Sequence, residues 1–172
     1  MKEFDYKDTE ISEEQHGPLI RFSYNRTTHS MMAGGGSSCG DSIEWNRDGS
    51  IILKYDASGG GKSTHVEYRV NPETAEKVRD FVVRAKLAAV AKMDIPTPQV
   101  YDCFTSVSIT MSFDDSSIGG KACESVTLYC GPAGMTFKKI EDEIHQLIAE
   151  CKENGECIVN KEKPETGFWG WG

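Results

Sequence analysis

Three thiols and one imidazole, Cys39, Cys103, Cys130 and His29, are the side chains of this chain with the most chemistry to offer if one place gathers them. Thiolates and a neutral imidazole are competent zinc ligands, and a cysteine near a helix N-terminus has a physical reason to be acidic. No two of the six cysteines, at 39, 103, 123, 130, 151 and 157, form a Cys-x-x-Cys pair, so no local motif builds such a site. Convergence has to come from topology. No cofactor is expected from any motif, and zinc is the one this donor set allows. The default for the thiols is burial in reduced form, because a free cysteine behaves as a small hydrophobe. An extracellular setting would instead permit disulfides.

Other short patterns fail on context. Gly36-Ser37-Ser38-Cys39-Gly40 has the spacing of a hydrolase nucleophile elbow, which needs a strand before the serine and a helix after it. A short strand and an Asp-Gly turn follow instead, so the stretch reads as a loop. Gly59-Gly60-Gly61-Lys62-Ser63-Thr64 ends like a phosphate-binding loop, but Asp56 stands where that motif needs its first glycine, and the following residues alternate as a strand. Lys163-Pro164-Glu165-Thr166-Gly167 resembles a sortase recognition signal with Lys in place of Leu, and no apolar span follows it. Phe168, Trp169 and Trp171 are costly to expose and suit an interaction peptide; the simpler expectation is that the rings cover an open part of the sheet. His16, His65 and His145 read as solvated polar-face residues.

The elements that would position these groups follow from periodicity. Ile20, Phe22 and Tyr24 alternate with polar residues as a half-buried strand, and Ile43 with Trp45 begin a second after the polar, glycine-rich stretch from Asn25 to Asp41. Asp48-Gly49 is a hairpin turn into Ile51, Leu53 and Tyr55, and the glycines at 59 to 61 lead into Val66, Tyr68 and Val70. Asn71-Pro72-Glu73 is a helix start, and Val78, Phe81, Val82, Ala85 and Ala89 continue one apolar stripe toward Met93, before Pro96 and Pro98. Val107, Ile109, Met111 and Phe113 form a strand, as do Val126, Leu128 and Cys130. Phe137, Ile140, Ile144, Leu147, Ile148 and Cys151 then mark a second helix, opposed by Lys138, Glu141, Asp142 and Glu150. Ile158 and Val159 suit a short edge strand.

The predicted fold is therefore α+β: an antiparallel meander sheet of about six strands, in the order four strands, helix, two strands, helix, with both amphipathic helices packed on one face. Residues 1–17 form a charged N-terminal segment, 18–160 a single α+β domain and 161–172 an aromatic tail. In a meander, alternate connections lie at one end of the sheet, so the stretches 26–41, 56–63, 94–104 and 130–134 are expected to share an edge. That edge would gather His29, Cys39, Cys103 and Cys130.

Phe22-Ser23-Tyr24 followed by Gly34-Gly35-Gly36, within this order of elements, resembles the N-terminal sheet of small bacterial α+β domains of unknown function. The resemblance spans residues 18 to 155 and implies that fold and no activity.

Composition narrows the partners. The 172 residues suit one domain, and 27 acidic against 19 basic side chains give a formal charge of -8, the wrong sign for gripping a phosphate backbone. Nucleic acid is not expected as a partner; another protein is. No window reaches the roughly 18 apolar residues of a membrane span, and Met1-Lys2-Glu3-Phe4-Asp5 has no signal core, which points to the cytoplasm unless a leader has been removed. The expectation is a non-catalytic binding or interaction module, with a small metal-binding or thiol-dependent enzyme at the glycine-loop edge as the alternative.

Overall fold

The computed structural model describes residues 3–12, 14–29, 36–99 and 104–164. Its seven strands are β1 (Leu19–His29), β2 (Ser37–Trp45), β3 (Ile51–Gly59), β4 (Lys62–Arg69), β5 (Phe104–Phe113), β6 (Glu124–Pro132) and β7 (Glu156–Pro164). They form one antiparallel sheet in the spatial order β6-β5-β1-β2-β3-β4-β7. The helices are α1 (Pro72–Arg84), a single turn α2 (Leu87–Val90) and α3 (Lys138–Glu153). The α+β class and the antiparallel sheet are as expected, but the strand count and order differ in detail. The meander of β1 to β4 grows outward from both sides, β5 and β6 adding beyond β1 and β7 beyond β4. The last strand is nine residues long, paired from Arg69↔Glu156 to Lys62↔Pro164, because β4 offers an open edge along its whole length.

Asn71 caps α1 with its side-chain oxygen, which accepts from the Glu73 amide at 2.8 Å, and Pro72 takes the first position. The helix does not run on to Met93. Lys86 enters the left-handed region at φ 52, which breaks the apolar stripe into α1 and α2 and lets Leu87 and Val90 turn into the core. Phe22, Ile43, Leu53, Ile109 and Met111 on the sheet pack with Val78, Phe81, Ile140 and Ile144 on the helices, all almost fully buried.

The opening stretch joins this core despite its charge. Phe4 and Ile11 are buried, the Phe4 ring lies 5.5 Å from Phe137, and Tyr6 meets the edge of Phe81 at 6.0 Å. Asp5 pairs with Lys139, Glu14 with Lys92, and His16 with Asp115, so residues 3 to 17 strap the helical layer to the sheet. No helix among the described residues is long and apolar enough to cross a membrane.

Strand registers place His29, Ser37, Gly59, Lys62, Phe104 and Pro132 at one end of the sheet, so the connections do share an edge. An edge has two faces, and that decides what can meet there.

Candidate functional site

Alternation along β1 continues past its apolar run. Phe22 and Tyr24 face the helices, and by the same phase so do Arg26 and Thr28. On β2 the matching positions are Ile43, Asp41 and Cys39, since Phe22 opposes Ile43, Tyr24 opposes Asp41 and Arg26 opposes Cys39. On β3 they are Leu53, Tyr55 and Ala57. Two neighbouring cross-strand rows result, Tyr24–Asp41–Tyr55 and Arg26–Cys39–Ala57. The third wall is α3, whose Glu141, His145, Ile148 and Lys152 recur at spacings of three and four and so share a face. Tyr24, Arg26, Cys39, Asp41, Tyr55, His145 and Lys152 line a cleft of about 330 Å³, within the size range of small-molecule sites. Arg26 and Cys39 also border a second hollow of about 520 Å³, walled by the small side chains of Thr28, Ala57, Thr64 and Thr105.

The polar groups of the cleft form a directed chain. The Tyr24 hydroxyl lies 2.9 Å from His145 Nε2, and the Arg26 charge nearby works against the rise in its pKa. Burial, reinforced by Glu141, pushes the Tyr24 phenol far above its ordinary value, so it keeps its proton and donates to His145. Burial, followed by the Arg26 charge, pushes the His145 imidazole below the ordinary histidine value, so it accepts as a neutral ring. Cys39 stands directly opposite Arg26, and its side chain is the largest cause of the rise in the guanidinium pKa. Lys152 pairs with Asp41 at 2.8 Å and stands 4.5 Å above the Tyr55 ring. Behind the chain, Glu141 is 4 % exposed and accepts from the Gly134 amide at 3.0 Å, with burial raising its carboxyl pKa.

The opposite face of the sheet is polar and largely satisfies itself. Thr110 pairs with Thr127, Ser112 with Ser125 and Ser38 with Ser58, at 3.0 to 3.2 Å. Its Arg21 and Lys54 both approach Glu44, and His65 is held between Asp56 at 2.5 Å and Glu67 at 2.7 Å. In the cleft, no carboxylate among the described residues forms an ion pair with Arg26, although the charge of Asp41 adds to the rise in its pKa. Lys161 on the open face is likewise without an ion pair among the described residues.

Of the four residues expected to converge, the three that are described, His29, Cys39 and Cys130, do not meet. His29 is on the open face, stacked 4.8 Å from Phe104 and 3.0 Å from Ser106. Cys39 and Cys130 face the helices but stand on β2 and β6, three strand spacings apart, or about 14 Å at ~4.8 Å per strand. One zinc ion, with bonds of about 2.3 Å to sulfur, cannot bridge that gap. Cys130 is fully buried, with its thiol pushed up to about 12 by burial and then by Glu141. Cys103, Phe168, Trp169 and Trp171 lie outside the described residues. No three His, Cys, Asp or Glu side chains among the described residues are grouped to hold a metal ion.

Of the sequence-derived candidates, Cys39 lines this cleft, beside Tyr24, Arg26, Asp41, Tyr55, His145 and Lys152, which the sequence did not single out. The signal was available in the phase of β1 and β2, where polar residues continue at core-facing positions beyond the apolar ones. Glu141 likewise belongs to the buried side of α3, not to its solvated face. No protein-family model, curated protein or solved structure gives a significant match to this chain.

Proposed function

We propose that this protein is a non-catalytic binding module whose helix-side cleft receives a small organic anion, with a carboxylate seated on Arg26. The observation that carries the reading is the partly buried Arg26 guanidinium, which lines the cleft opposite Cys39 and has no ion-paired carboxylate among the described residues. A planar guanidinium presents five donors in a fixed fork that matches a carboxylate bidentately. Lys152 adds a second cation at the rim, partly neutralised by Asp41, and the Tyr55 ring gives the apolar part of a ligand a wall. The neutral His145 offers a polar partner without adding charge. These features support binding.

Benzoate is a suitable probe because its carboxylate and ring fit a cleft of this size, and benzamide is its uncharged isostere. A ligand that binds the folded state alone raises the melting temperature as its concentration passes Kd. Benzoate at tens of millimolar is expected to raise Tm, with benzamide and equal chloride producing no rise. Arg26→Gln is expected to abolish the benzoate effect. An equal response to benzamide, or a response that survives in Arg26→Gln, contradicts the proposal.

A further inference from the structure

Of the cysteines whose environment is described, Cys39 alone lines the cleft. Cys130 and Cys151 are fully buried, and burial pushes their thiols up to about 12 and about 11, which leaves them inert. Cys123 and Cys157 are exposed, and Cys157 donates to the Val159 carbonyl on its own strand. Cys39 is directly opposite Arg26 in the β1–β2 register and on the same face, so its sulfur and the guanidinium are side-by-side neighbours. A molecule whose carboxylate is held by Arg26 thus presents its next few atoms to the Cys39 sulfur.

We infer that Cys39 is a covalent capture site for small disulfides that carry a carboxylate, held for reaction by the neighbouring Arg26 guanidinium. This rests on the anion-binding reading of the same cleft and names the class of molecule it takes. In the reaction, the Cys39 thiol gives up its proton and the resulting thiolate attacks one sulfur of RS–SR. A Cys39–SR bond forms, the RS–SR bond breaks, and the departing RS⁻ carries off the electron pair of that bond. The proton released by Cys39 ends on that thiolate, so no further oxidant is needed. The mixed disulfide reverses when a second thiol attacks it. The cleft would then hold its ligand covalently and reversibly, as a thiol sensor or carrier does.

The test compares two aryl disulfides, 5,5′-dithiobis(2-nitrobenzoate), which carries carboxylates, and the uncharged 2,2′-dithiodipyridine. Limiting amounts of each are added to the full chain, and peptide mass spectrometry assigns the modification rate of every cysteine. Relative to Cys123 and Cys157, and normalised to the neutral reagent, Cys39 is expected to prefer the anionic reagent by about tenfold, the equivalent of one charge-assisted contact. Arg26→Gln should remove that preference, and benzoate should compete with the anionic reagent alone. If benzoate raises Tm but Cys39 reacts with neither reagent, covalent capture is overturned and anion binding stands. If Cys39 reacts with both reagents at equal normalised rates and benzoate has no effect, both are overturned. A preference that persists in Arg26→Gln also overturns the assignment.

Discussion

His145 and His65 are displaced in opposite directions by their surroundings, and stability should record both. Burial first and Arg26 second hold His145 below the ordinary value of 6.5, while hydrogen bonds first from Glu67 and then from Asp56 hold His65 above it. A lowered histidine contributes stability that is complete above pH 6.5 and is lost as pH falls through its folded value, because the unfolded chain binds the proton more readily. A raised histidine contributes stability that is complete below pH 6.5 and is lost as pH rises through its folded value. Urea midpoints measured against pH should therefore lose their alkaline decline near neutrality in His65→Gln and part of their acidic decline in His145→Gln. Unchanged profiles in both variants would contradict the pairings. Tyr24→Phe removes the donor to His145 and is expected to cost about 1 to 3 kcal/mol in urea unfolding through the imidazole nitrogen it leaves unpaired. None of these partnerships was legible from residue type. His145 lies between Ile144 and Gln146 and His65 between Thr64 and Val66, one apolar and one polar neighbour each, and only the fold puts one against a tyrosine and a cation and the other between two carboxylates.

At the scale of elements, the apolar alternation of β3, β5 and β6, the Asp-Gly and glycine turns, the Asn71 cap and the stripe of α3 were all legible, since each is a local consequence of burial or backbone geometry. Three features were not. The length of β1 and β2 was hidden because their outer halves carry Arg26, Thr28, Cys39 and Asp41 where apolar residues would have marked a strand. The break at Lys86 was hidden because a non-glycine residue at positive φ leaves no composition signal. The role of residues 3 to 17 was hidden because two buried side chains, Phe4 and Ile11, are too few to show a period. Their contribution is testable: Phe4→Ala should destabilise the protein by about 3 kcal/mol through the cavity left beside Phe137, and a loss within error of zero would mean the strap is not part of the cooperative fold. Asn71→Ala should cost about 1 kcal/mol, measured in the same way.

For the whole molecule, the formal charge of -8 repels anions at long range, yet the cleft concentrates Arg26 and Lys152 against one ion-paired carboxylate, Asp41. Association of a small anion should consequently depend on the local cations, with the long-range repulsion screened beyond about 8 Å at physiological ionic strength. The architecture supports this division, as the helices cover the apolar half of the sheet and leave its polar half, on the same face, open beside α3. The most direct test is a titration of isotopically labelled protein with benzoate, followed by amide and imidazole NMR shifts. The account predicts saturable shifts confined to Tyr24, Arg26, Cys39, Tyr55, His145 and Lys152, absent with benzamide and in Arg26→Gln. Shifts that map instead to the open face around Lys54 and His65, or that never saturate, would contradict it.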